Sequence, residues 1–285
     1  MPMREGSFLS LGPHGFHRIA FTLWGAEEGE RLVVCVHGLT RNGRDFDGLA
    51  AALEDQLRVA CPDVPGRGNS AWLADPKDYS YAVYTADMAA FLAHLGGGPV
   101  DWIGTSMGGL IGMLLAAQPE TPIRRLVLND IGPFVAKAAL ARIAAYVGSD
   151  PRFPDLDGVE TYLRNVHAPF GPLSDSDWRR LAGTSARPDD AGGWRLHYDP
   201  AIALNFQQAA EADVDLWAVW DAIRCPVLVL RGAESDLLDK PTAEAMTSRG
   251  PKAQLIEFSG VGHAPALVAP EQIEAIRAWL AEGAG

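Results

Sequence analysis

Cysteine is scarce in this chain: Cys35, Cys61 and Cys225 are the only three in 285 residues, and no two form a C-x-x-C pair. An odd, scattered set excludes a disulfide framework or a thiolate metal site, and reads as small buried hydrophobes in a reducing compartment. Cationic residues are also few, 24 Lys and Arg against 36 Asp and Glu for a formal charge of −12, and no basic run breaks the imbalance. A phosphate-tracking or anionic-membrane surface is therefore excluded, and neither nucleic acid nor membrane is expected as a partner. No window approaches eighteen continuous apolar residues, and Met1 to Ser7 lack the apolar stretch of a secretory signal, so the expected location is cytoplasmic. H-E-x-x-H, a P-loop and a well-placed G-x-G-x-x-G are missing too, so no metal and no cofactor is expected.

What is present is 48% hydrophobic content distributed as short apolar runs, each followed by a turn and a helical stretch. Arg31 to Val36, Leu57 to Cys61, Val100 to Ile103, Arg124 to Asp130, Pro226 to Gly232 and Ala253 to Phe258 read as strands. Continuous apolar runs of this length suit strands buried on both faces, which predicts a mostly parallel sheet with helices on both sides. Phe8 to Ser10 and Phe16 to Trp24 read as an antiparallel pair at its edge, turning at Gly12 to Gly15. From Phe134 to Trp220 the strand rhythm stops, and helical segments punctuated by Pro and Gly read as an inserted helical cap. The expected organisation is a core over 1–133, a cap over 134–220 and the rest of the core over 221–285.

The densest signal is Val100-Asp101-Trp102-Ile103-Gly104-Thr105-Ser106-Met107-Gly108-Gly109, an apolar strand, a sharp turn and the start of a helix. A serine at the tip of such a turn needs neighbours two before and two after that lack side chains, and Gly104 and Gly108 occupy those places. The helix that follows directs its positive end toward charge developing beside Ser106.

A serine hydroxyl attacks only if a base takes its proton, and the base needs a third group to fix its tautomer. Of seven histidines, His263 alone sits in a glycine-rich turn just after the last strand, where it can reach back to Ser106. Two acids compete to orient it. Asp236, after the penultimate strand, gives the order Ser, Asp, His and is the preferred choice; Asp130, ending the strand after the elbow, is the alternative.

With those residues in place the chain resembles the serine branch of the α/β-hydrolase superfamily, similar to its esterases and lactonases. The likeness rests on His37-Gly38, Asp63 with Pro65-Gly66-Arg67-Gly68 and Ser70, Gly104 to Gly109, Gly232 to Asp236, and Gly262-His263. It implies an α/β-hydrolase fold and an oxyanion hole made by the backbone N–H groups of Leu39 and Met107. It also implies cleavage of a small carboxylic ester or lactone through an acyl-enzyme. Trp178, Trp194, Trp217 and Trp220 are candidate pocket lining or cap packing, and Arg41 is a candidate receptor for a substrate carboxylate or a partner of Asp45. Hydrolysis of carbon–carbon bonds in ring-cleavage products and a low-turnover receptor are the alternative readings of the same scaffold.

Overall fold

The computed structural model describes residues 3–26 and 31–282; residues 1 and 2 of the N-terminal segment read above lie outside it. The chain opens with β1 (Arg4–Gly12) and β2 (Gly15–Trp24), then β3 (Leu32–Val36), α1 (Asp47–Leu53), β4 (Arg58–Pro62), α2 (Tyr81–His94), β5 (Val100–Thr105), α3 (Met107–Ala116) and β6 (Ile123–Asn129). The insertion contributes β7 (Phe134–Val135), α4 (Lys137–Ala144), β8 (Arg152–Phe153), α5 (Leu156–Val166), α6 (Asp175–Ser185), β9 (Ala186–Pro188), β10 (Trp194–Leu196), α7 (Ala203–Ala209), β11 (Val214–Asp215) and α8 (Trp217–Ala222). β12 (Val227–Gly232), α9 (Lys240–Ser248), β13 (Gln254–Phe258) and α10 (Pro270–Ala281) complete the core.

Eight strands form one sheet in the order β1-β2-β4-β3-β5-β6-β12-β13. Only the β1/β2 and β2/β4 pairs are antiparallel; the rest are parallel, as the apolar runs predict. Alternate residues of those runs feed opposite faces, which is why the runs are apolar throughout. Val34, Val36, Trp102, Leu126 and Val229 pack on the side of α2, α3, α8 and α9. Val33, Cys35, Ile103, Val127 and Leu230 pack on the side of α1 and α10, against Leu49, Leu53, Ile276 and Trp279.

The insertion differs from a purely helical cap. β7 pairs with β11, tying its beginning to its end, and β8, β10 and β9 form a small antiparallel sheet. α8 lies on the core against α3, and Trp220 donates from its indole N–H to the Arg249 carbonyl just past α9 at 2.8 Å. Apolar side chains of the insertion, among them Leu140, Ile143, Leu163 and Trp178, continue the same core cluster that covers α3. Burial across one shared core fixes this lid on the sheet.

Candidate active site

Ser106 sits between β5 and α3 with φ +50° and ψ −113°, a conformation disfavoured for a residue carrying a side chain. Backbone packing enforces it. A Cβ on Gly104 would overlap the Gly108 carbonyl across the turn, and one on Gly108 would overlap the Val36 carbonyl at the end of β3. The second glycine is thus required by the neighbouring strand rather than by the turn alone. Trp102 buttresses the same turn, donating from its indole N–H to the Gly108 carbonyl at 3.0 Å.

The last-strand turn brings His263 to the serine, with Nε2 3.1 Å from Ser106 Oγ. Its Nδ1 lies 2.7 Å from Asp130 Oδ2. A carboxylate only accepts, so Nδ1 carries the proton and Nε2 is left to accept from the serine hydroxyl. Asp130 is fully buried, accepting also from the Gly232 N–H at 2.9 Å and from Ser235 Oγ at 2.6 Å. Three donors around one carboxylate fix its rotamer.

Asp236, the preferred acid from the sequence, is not brought to His263. Its carboxylate takes a two-pronged bond from Arg142 of α4, with Nη2 to Oδ1 at 2.8 Å, and both side chains are about half exposed. The geometry brings Asp130 rather than Asp236 to the imidazole: β6 ends one residue before Asp130 and points it at the ring, whereas the turn after β12 sends Ser235 inward and Asp236 outward.

The expected oxyanion loop lies beside the serine, a Cβ built on Gly38 falling 3.9 Å from Ser106 Cβ, and Leu39 and Met107 both line the cavity. Two buried residues hold this loop. His37 bonds from Nδ1 to the Gly38 carbonyl at 2.7 Å, while its Nε2 accepts from the Val64 N–H at 2.9 Å. Burial drives its pKa down to about 3, so the ring is neutral, with Nδ1 as its donor. In a trans peptide C=O and N–H point opposite ways, so fixing the Gly38 carbonyl fixes the direction of the Leu39 N–H. Arg67, with no exposed surface, donates from Nε to the Leu39 carbonyl at 2.8 Å, from Nη1 to the Pro65 carbonyl at 2.7 Å and the Tyr84 hydroxyl at 2.9 Å, and from Nη2 to Met107 Sδ at 3.5 Å. One guanidinium thus touches both residues expected to supply oxyanion donors.

A cavity of about 390 Å³ opens over Ser106 and His263. Its wall is mostly apolar, with Leu110, Ile131, Leu140, Ile143 and Phe206 among its residues, and it includes Arg41, Arg142, Tyr146 and His167. None of the four candidate tryptophans lines it. Trp178 is buried under the Arg164 guanidinium, Trp217 stacks with Arg249, Trp220 braces α8, and Trp194 sits in the small sheet. Arg41 reaches the wall, but Nε and Nη2 are held by Asp45 at 2.8 and 2.6 Å. His167, which the sequence leaves without a role, is buried in the wall and neutral for that reason. Ser235 and Asn129 were also not legible as site residues; Asn129 donates to the Pro265 carbonyl at 2.8 Å and to Thr105 Oγ1 at 3.0 Å, joining the histidine loop to the elbow.

A sequence profile described as the alpha/beta hydrolase family matches residues 33–276. The chain belongs to that family. It is 45% identical over 278 residues, 95% of each chain, to a 3-hydroxybutyrate-oligomer hydrolase of Cupriavidus necator. It is 31% identical over 224 residues, 74% of this chain and 70% of the other, to an esterase of Mycobacterium tuberculosis. The solved structure of an alpha/beta hydrolase from Novosphingobium aromaticivorans superposes with a TM-score of 0.87 at 37% identity, covering 98% of both chains. This α/β hydrolase acts on ester bonds. Among its described residues no helix is long and apolar enough to cross a membrane.

Proposed function

We propose that this α/β hydrolase is a serine esterase that cleaves short oligoesters of a hydroxy acid, of the 3-hydroxybutyrate kind, through an acyl-enzyme. The observation that carries the mechanism is the unbroken chain Asp130, His263, Ser106 at the floor of an apolar cavity. Ser106 Oγ attacks the ester carbonyl as His263 Nε2 takes its proton, and Asp130 stabilises the resulting imidazolium. The Leu39 and Met107 N–H groups receive the oxyanion, aided by the positive end of α3. His263 then gives its proton to the leaving alkoxide, and the same ring activates the water that releases the acid.

The substrate class is supported by the 45% identical relative named for 3-hydroxybutyrate oligomers and by the composition of the cavity. Methyl and methylene groups of such a chain gain from apolar walls, while its ester oxygens need few partners. The test is a panel of 3-hydroxybutyrate dimer and trimer, p-nitrophenyl acetate, a lactone and a vinylogous diketone, run with wild type and Ser106→Ala. The reading expects turnover of the oligomers and the activated ester, both lost by several decades in Ser106→Ala. Diketone cleavage without ester cleavage would replace it with carbon–carbon hydrolysis, and binding without turnover would make the chain a receptor.

A further inference from the structure

Asp236 and Arg142 form an ion pair that the triad does not use, at a place where the lid meets the turn after β12 beside the cavity. Arg142 lies on α4 and lines the cavity with Ser106 and His263. Asp236 lies between Ser235, whose hydroxyl donates to Asp130 Oδ2 at 2.6 Å, and Leu237, which also lines the cavity. The pair is therefore anchored on the Asp130 and His263 side of the nucleophile, where the leaving alcohol receives its proton. We propose that Arg142, together with the Tyr146 hydroxyl, is the binding site for a carboxylate on the leaving-group half of the substrate, with Asp236 as the resident anion that the substrate displaces; this rests on the oligoester reading above.

The chemistry of a β-hydroxy acid fits that placement. Its terminal unit carries a carboxylate two carbons from the esterified oxygen. Ser106 Oγ bonds to the carbonyl carbon of the preceding unit, and the bond from that carbon to the terminal unit's 3-oxygen breaks. The proton passes from His263 Nε2 to that oxygen, and the terminal hydroxy acid leaves as its carboxylate. Water then hydrolyses the acyl-enzyme to the shortened oligomer, so cleavage proceeds from the carboxyl end.

Two features make Arg142 rather than Arg41 the receptor. The Arg142–Asp236 pair has side-chain exposures of 42% and 51%, so exchanging one carboxylate for another costs little; Arg41 and Asp45 are 7% and 20% exposed and four residues apart in one turn. Tyr146 follows Arg142 by one helical turn, with its N–H bonded to the Ile143 carbonyl, and lines the same cavity. No described residue bonds to its hydroxyl, which leaves that group to donate to the second carboxylate oxygen.

The experiment compares the free acid and the methyl ester of the 3-hydroxybutyrate dimer with wild type, Arg142→Gln, Asp236→Asn and Tyr146→Phe. It also measures 3-hydroxybutyrate as a competitive inhibitor of p-nitrophenyl acetate hydrolysis. Wild type is expected to prefer the acid in kcat/KM. Arg142→Gln should cut that preference about tenfold and Tyr146→Phe about threefold, the scale of one charged and one neutral hydrogen bond. Asp236→Asn, which frees the guanidinium, should raise it about threefold. The inhibition constant should rise in the first two variants and fall in the third. Equal use of acid and ester by wild type, or shifts of the same sign in Arg142→Gln and Asp236→Asn, would overturn the subsite. Failure of the oligoester reading alone would look different: neither dimer would be turned over, while 3-hydroxybutyrate would still inhibit in an Arg142-dependent way.

Discussion

Asp130→Asn and Asp236→Asn separate two acids: sequence order favours Asp236, whereas the geometry places Asp130 at the imidazole. At Asp130 the amide has two orientations. With its NH₂ toward the Gly232 N–H, two buried donors face each other and one is left without an acceptor, at about 1–3 kcal/mol. With its NH₂ toward His263 instead, the ring must accept at Nδ1, and its proton moves to Nε2, facing Ser106. The base is then in the wrong tautomer, which in serine triads lowers kcat by roughly 10⁴, or about 5 kcal/mol of barrier. Asp236 contacts neither the imidazole nor any partner of Asp130 beyond its chain neighbours, so its amide variant should lose at least a hundredfold less. The assay is kcat on p-nitrophenyl acetate for both variants, with folding checked by thermal unfolding. A crippled Asp236→Asn beside an active Asp130→Asn would refute the argument and return the acid to the turn after β12.

Arg67→Met should lower kcat on a neutral ester about a hundredfold with KM within about threefold, because it releases the Leu39 carbonyl and loosens one oxyanion donor; a change in KM alone would contradict this. The same variant leaves the Pro65 carbonyl and Tyr84 hydroxyl short of a donor, so its Tm should fall by several degrees. His37 contributes stability that depends on pH: its folded pKa, near 3, lies below the unfolded value of 6.5, so that stability is present above pH 6.5 and lost as pH falls toward 3. Its full loss is on the order of 5 kcal/mol. Asp63 acts with the opposite sign, since burial raises its pKa to about 6 and favours the native state as pH falls from 6 toward 4. The His37 contribution is therefore read as the difference in unfolding free energy between His37→Asn and wild type across that range, and a difference independent of pH would refute it. Gly108→Ala, whose methyl would meet the Val36 carbonyl, should abolish turnover and lower Tm sharply; an active, equally stable variant would show that β3 can shift.

The sheet, its edge hairpin and the elbow were legible because each is set locally. An apolar run, a glycine turn and a helix start are readable within ten residues, and the parallel arrangement follows from the run being apolar on both faces. His263 was legible for the same reason, as an imidazole in a glycine turn after the last strand. The acid was not. Asp130 and Asp236 both follow strands that pair side by side, β6 and β12, so both begin within reach of the same spot. What distinguishes them is the turn after β12, where Arg231 donates to the Leu238 carbonyl at 2.8 Å and folds the segment so that Ser235 faces Asp130. With that serine inside, its neighbour must face out, and Asp236 meets Arg142 from a helix 94 residues earlier. The tryptophans failed as pocket markers on similar grounds. Trp178 and Trp217 found a guanidinium and Trp220 a backbone carbonyl, partners 14 to 32 residues away that composition does not identify. The wall of the cavity is instead built mostly from Leu and Ile positions on α3, α4 and the strand ends, whose sequence signal is indistinguishable from that of any buried helix. A charged residue in such a wall is therefore more informative than any of its apolar neighbours, because its hydrogen-bonding group can be satisfied by a ligand as well as by the protein. At Arg142 the protein's own partner is an exposed carboxylate that a substrate can replace.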